Sequence, residues 1–150
     1  MYCILVTGIP ASGKSTIAKY LSEYLRLPLI SKDDMKELMY DAVGFRSREE
    51  KVGLGIASMN IMYYMAEQLM KCGSPFILEN NFENISRDGL AVILEKYSYQ
   101  AITVTLTGDY VRYGPHMILD TTDFARVDKD KLVRQLIEFI QAIDGHSKHI

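Results

Sequence analysis

Little in this sequence could stitch or anchor a fold from outside. It has two cysteines, Cys3 and Cys72, too few for a disulfide framework. Cys3 lies in the first apolar run and Cys72 at the end of a long amphipathic stretch. Both read as buried free thiols, which suits a reducing cytosol. The three histidines, His116, His146 and His149, lie apart or at the tail and make no convincing metal-ligand set. No apolar run approaches the roughly 18–20 residues of a membrane span. The first residues lack the charged region and the cleavage site of a signal peptide. A cytoplasmic protein without membrane contact is expected. Basic runs are also missing, and 17 Lys and Arg against 19 Asp and Glu leave a net charge of −2. That argues against avid nucleic-acid binding. There is no G-x-S-x-G nucleophile elbow, no repeat and no low-complexity segment.

What is present suits one domain with its own core. At 150 residues, a domain buries roughly 68–70% of the surface its unfolded chain exposes. Apolar runs alternate with amphipathic stretches, the pattern of an α/β domain with a mainly parallel sheet. Strands are expected at Tyr2–Val6, Leu27–Ser31, Pro75–Asn80, Ala101–Leu106 and Met117–Asp120. A helix should start at Lys14, with Ile17, Ala18, Leu21 and Leu25 on one face. Another follows Asp33 and Asp34, acids that suit the positive end of a helix. Further helices are expected over Glu49–Lys71, Ser86–Tyr97 and Asp128–Ile143.

The stretch from Gly8 to Thr16, GIPASGKST, carries the strongest chemical signal. It fits G-x-x-x-x-G-K-S completely and lies between an expected strand and an expected helix. Glycines let the backbone take positive φ and bring its N–H groups close to an anion. The helix that follows offers its unpaired first amides to the same anion. Gly8, Ile9, Pro10, Ala11, Ser12, Gly13, Lys14, Ser15 and Thr16 are therefore the candidate phosphate cradle. Lys14 can reach β- and γ-phosphate oxygens, and the Ser15 hydroxyl suits Mg²⁺, which takes oxygen ligands and keeps several waters. Phosphoryl transfer to a hydroxyl also needs a group that orients the acceptor. In open parallel sheets such groups sit at the carboxyl ends of strands. Asp33 and Asp34 stand there, with Lys36 three residues past Asp33. Arg46 and Arg48 lie in the link before the long helix, where an anionic acceptor could be held. No D-x-x-G follows the P-loop, which argues against a GTPase switch.

With these motifs the chain resembles the P-loop small-molecule and nucleotide kinases. That group includes the polynucleotide 5′-kinase domain, chloramphenicol phosphotransferase and zeta-toxin-like kinases. The resemblance covers most of the chain, from Met1 to about Asp109 and from about Met117 to Phe139. It implies a P-loop nucleoside triphosphate hydrolase-like fold: a three-layer α/β sandwich with five parallel strands in the order 2-3-1-4-5. It implies that Asp33 activates the acceptor hydroxyl and helps at the metal, and that Lys36 binds substrate where arginine is more usual. Glu79 takes the family's strand-end acid, near Mg²⁺ or substrate, followed by polar Asn80. Arg87 is the candidate arginine a few positions on. Asp120 and Thr121 begin the loop beside the adenine ring. The expected ligands are ATP, Mg²⁺ and a small hydroxyl-bearing substrate. Two alternatives stay open: an ATP-binding module with little transfer, and a polynucleotide 5′-hydroxyl kinase.

One departure stands out. The relatives carry an arginine-bearing lid after the fourth strand, whereas here only residues 107–116 separate strands four and five, with Arg112 the sole arginine. Arg112 is the candidate for neutralising charge that develops in the transition state. Either lid residues are missing from the sequence as written, or the domain is lidless. The link looks too short for a parallel crossover of about a dozen residues, which favours the first. The acceptor, the oligomeric state and the choice between ATP and GTP are not legible.

Overall fold

Strands and helices are interleaved along the chain, and every strand pair is parallel. The structure is a computed structural model that describes residues 1–82, 84–106 and 114–146, without the side chains of residues 84–87 and 146. In chain order the elements are β1 (Tyr2–Gly8), α1 (Lys14–Leu25), β2 (Leu29–Ser31), α2 (Lys32–Val43), α3 (Arg48–Lys71), β3 (Phe76–Glu79), α4 (Asn84–Lys96), β4 (Gln100–Leu106), β5 (His116–Leu119) and α5 (Lys129–His146). A 3-10 turn, Phe124–Arg126, precedes α5. The sheet order is β2-β3-β1-β4-β5, as expected.

Alternation along β1 builds both faces of the core. Ile4 and Val6 join Ile77, Ile102 and Val104 under α1 (Ile17, Ala18, Leu21) and α5 (Leu132, Leu136). Cys3 and Leu5 join Phe76 and Leu78 under α3 (Met62, Ala66, Met70) and α4 (Leu90, Leu94). The strands therefore read as continuous apolar runs, since both faces are covered.

Several boundaries move, each for a local reason. Helix α1 ends because Arg26 takes a left-handed conformation and its N–H bonds back to Ser22, so β2 begins at Leu29 rather than Leu27. Asp128 accepts a hydrogen bond from the Lys131 N–H and caps α5, which starts at Lys129. One expectation fails outright: Cys72 is exposed while Cys3 is buried. Cys72 caps the C-terminus of α3, in the exposed turn that leads into β3. In α3, Tyr64 and Met65 also face solvent.

β5 pairs with the second half of β4, from Thr103↔His116 to Leu106↔Leu119. The chain must return about three residues along the strand, roughly 10 Å at the usual rise. Residues 107–113 of the link, Arg112 included, lie outside the described residues.

Helix α2 and the first half of α3 lie at the rim of this core, with Met35 of α2 packed against it. From Lys32 to Ala57 not one residue is buried. The two helices pack on each other, and both are capped at their starts: Ser31 accepts from Asp34 N–H, and Ser47 from Glu50 N–H. This arm is held by local order, by its helix–helix contact and by Met35 on the core. Leu21→Ala, in the core, should cost about 2–5 kcal/mol. Leu38→Ala, at 68% exposure in the arm, should stay within about 0.5 kcal/mol. Urea unfolding of both variants measures the contrast, and equal losses would contradict this division of the molecule.

Candidate active site

The carboxyl ends of β1, β2 and β3 meet in one place because of register. Ser31 lies beside Glu79, and Glu79 beside Val6. The residues just beyond these ends are therefore neighbours: the Gly8–Ser15 loop, Asp33 and Asn80.

The loop is shaped by close backbone approach. Gly8 has φ 150°, and a Cβ there would lie 2.2 Å from the Leu106 carbonyl oxygen. Gly13 has φ 87°, and a Cβ there would lie 2.4 Å from Phe124 Cε2. Ala11, between them, is left-handed at φ 62°, a strain of about 1–2 kcal/mol for a residue with a side chain. Ser12 N–H donates to the Ile9 carbonyl at 3.3 Å, closing the turn. Helices α2, α3 and α5 each have a side-chain cap, but α1 has none and no acid in its first turn. Its leading amides are left for an anion.

Lys14 is buried and donates from Nζ to the Ile9 carbonyl at 2.8 Å. Burial lowers its pKa, and the negative charges of Glu79 and Asp33 oppose that shift. The Ser15 hydroxyl donates to Glu79 Oε1 at 2.7 Å. Glu79 is 1% exposed, and its Oε2 has no hydrogen-bond partner. A buried carboxylate oxygen without a partner is costly unless positive charge meets it. Lys14 supplies part of that charge. The donor set, a hydroxyl beside a carboxylate at a phosphate-type loop, fits Mg²⁺, which in such sites takes one or two carboxylates and keeps waters. No cluster of three or more His, Cys, Asp or Glu able to hold a metal occurs among the described residues.

Asp33 sits in the first turn of α2 and accepts from Lys36 Nζ at 2.9 Å. Partial burial raises its pKa, but the Lys36 hydrogen bond and the charges of Lys36, Lys32 and Lys14 outweigh it and hold the carboxyl below its usual range. Lys36 is raised in return, chiefly by that hydrogen bond. Asp34 points elsewhere, 3.8 Å from Lys19. Asn80 is buried, and its side-chain oxygen accepts from the Asn81 N–H.

The other candidates are spread out. Arg46 is in the turn between α2 and α3, and Arg48 opens α3; both are exposed. They lie beyond the far end of α2 from Asp33. Arg87 belongs to α4, and its side chain lies outside the described residues. Asp120 accepts from Thr122 N–H at 2.9 Å, which lowers its pKa; Thr121 follows it. Just beyond, a cavity of about 570 Å³ is lined by Tyr20, Phe124, Val127, Asp128 and Lys129 among others. Lys129 Nζ lies 5.2 Å from the Tyr20 ring centre and 5.9 Å from that of Phe124. Sequence reading missed Tyr20, Phe124 and Lys129. Their only signal is an aromatic soon after Asp120, which spacing alone does not connect to Gly13.

Comparison with solved structures agrees with this geometry. A protein from Chloroflexus aurantiacus described as a candidate kinase superposes with a TM-score of 0.87 at 25% identity, covering 94% of this chain and 96% of that one. The chain resembles the P-loop small-molecule kinases. An APS kinase of Mycobacterium tuberculosis (TM-score 0.63, 13% identity, 93% and 96% covered) shares the P-loop kinase fold. So does a sugar kinase from a Janibacter species (0.60, 13%, 94% and 95%). At that identity the likeness is one of fold alone. No family model and no curated protein matches the sequence. No helix among the described residues is long and apolar enough to cross a membrane.

Two outcomes are expected. Gly13→Ala should abolish nucleotide binding in calorimetry, because its methyl would collide with the Phe124 ring. Lys36→Met should raise the Asp33 pKa toward its ordinary value, read by NMR titration of the carboxyl. An unchanged midpoint would contradict the pairing. Because the folded carboxyl sits below its unfolded value of about 3.9, it contributes stability above that pH. That contribution fades as pH falls through the folded pKa.

Proposed function

We propose that this chain is, as a single domain, a phosphotransferase that moves the γ-phosphoryl group of ATP to a hydroxyl of a small molecule. The observation that carries the reading is the buried Lys14–Ser15–Glu79 group beside an uncapped helix start, with ionised Asp33 at the neighbouring strand end. The amides of residues 8–16 hold the β- and γ-phosphates, and the Lys14 ammonium lies against their oxygens. The nucleotide base takes the cavity beside Phe124, next to the loop that starts at Asp120 and Thr121.

Ser15 and Glu79, with Asp33 nearby, are the residues that would hold Mg²⁺. When bound, the ion neutralises charge on the phosphate oxygens. Asp33 accepts a hydrogen bond from the acceptor hydroxyl and aims its oxygen at the γ-phosphorus. A bond forms from that oxygen to phosphorus, the bond from phosphorus to the β-phosphate oxygen breaks, and ADP leaves. The hydroxyl proton passes to Asp33 and then to solvent. A carboxylate held at low pKa is a weak base, so Asp33 acts first by orientation and takes the proton late. This suits a loose transition state in which the nucleophile contributes little bonding.

Asp33→Asn should lower kcat by about 10²–10⁴ while ATP affinity stays within a few-fold. ADP release across nucleosides, sugars and antibiotics, beside calorimetry with ATP, measures both. Undiminished turnover in the variant refutes the assignment, and ATP binding without transfer to any acceptor reduces the chain to a binding module.

A further inference from the structure

We propose that the outward face of α3 is a self-association surface, on which a second copy of this chain packs its own α3 antiparallel, about a two-fold axis at Asn60. The proposal does not depend on the phosphotransferase reading.

Helix α3 runs for 15 residues, Val52–Ala66, without a charged side chain, roughly 22 Å of helix. Its inner side is filled, with Ser58, Met62, Ala66 and Met70 buried. Its outer side is open to solvent, yet it is apolar too. Ile56 is 52% exposed and Tyr64 64%, with Ile61 at 42% on the flank. Surface helices ordinarily turn charge to water. Helix α5 does so with Lys131, Arg134, Glu138 and Asp144, all exposed. A helix that is apolar all round belongs in an interior, and one copy of the chain gives α3 only half of one.

The order of residues along that face identifies what covers it. At 3.6 residues per turn, Glu49, Ile56, Asn60, Tyr64 and Lys71 fall on one side of α3, within about 40° of Asn60. All five are exposed. The arrangement is balanced about Asn60, with Ile56 and Tyr64 four residues to either side and Glu49 and Lys71 eleven. In an antiparallel pair with its axis there, Ile56 of each copy meets Tyr64 of the other, and Glu49 meets Lys71. Each contact then occurs twice, as an isologous interface requires. The two Asn60 amides meet at the centre, where each can donate and accept. One polar position in an apolar seam fixes its register. Among the described residues neither Glu49 nor Lys71 enters an ion pair within the chain. A parallel pair would set Glu49 against Glu49 and Lys71 against Lys71. Glu67 falls on this side as well, but Lys96 and Tyr97 already hold it. Gly53 of the second copy stands opposite Glu67 and has no side chain to crowd it. One helix per copy puts the interface near about 1,000 Å² in total, the lower end for specific association.

Sedimentation equilibrium of the full chain from about 1 to 500 μM should show the mass rising from 17.1 kDa toward twice that value, with a Kd on the order of 10 μM. Asn60→Asp, which sets two like charges on the axis, should weaken association about ten-fold or more and leave the Tm of dilute protein unchanged. Glu49→Lys and Lys71→Glu should each weaken it about ten-fold, and the double variant should recover most of the loss. With Cys72→Ser as background, Asn60→Cys should oxidise to a disulfide-linked dimer, and Leu38→Cys on α2 should do so about ten-fold more slowly or not at all. A mass fixed at 17.1 kDa throughout, or additive losses in the double charge variant, overturns the proposal. A monomer that binds phosphatidylcholine vesicles through Ile56 and Tyr64 overturns it too, and gives the face to lipid.

Discussion

The site depends on two places where backbone is pressed against its surroundings. Gly8 lies against the Leu106 carbonyl, and Gly13 lies under the Phe124 ring. The first contact ties the cradle to β4, and the second ties it to the chain that follows β5. Between them the loop cannot relax, even though Ala11 is left-handed. The amides at the start of α1 are thus fixed before any ligand arrives, which avoids an ordering cost at binding.

Charge balance follows from that fixed geometry. Lys14 is buried among Glu79, Asp33 and main-chain oxygen, so its cation is partly compensated without being engaged in a tight pair. Glu79 has one oxygen occupied by Ser15 and the other unpartnered. Asp33 is drawn into a pair with Lys36, which keeps it ionised. The unpartnered Glu79 oxygen and the uncapped start of α1 leave charge of both signs only partly met at this centre.

Much of this was legible in the sequence, because the signals are local. The P-loop spacing, the apolar runs and the one-sided periodicity of α1 and α5 each lie within a few residues. Parallel pairing in the order β2-β3-β1-β4-β5 came with the resemblance they supported. Contacts distant in sequence were less accessible. Nothing in spacing links Phe124 to Gly13, or Tyr20 to Lys129. Cys72 was misplaced because an amphipathic pattern does not say on which turn the helix leaves the sheet. The Asp33–Lys36 pair was visible as an i, i+3 spacing, yet composition could not say whether Lys36 serves its neighbour or a ligand.

The arm from Lys32 to Ala57 holds no fully buried residue and meets the interior through Met35. Evolution, or an engineer, can therefore rewrite its surface without endangering the sheet beneath. Asp33 and Lys36 stand at the root of this hairpin, so the freedom to vary belongs to the part beyond them.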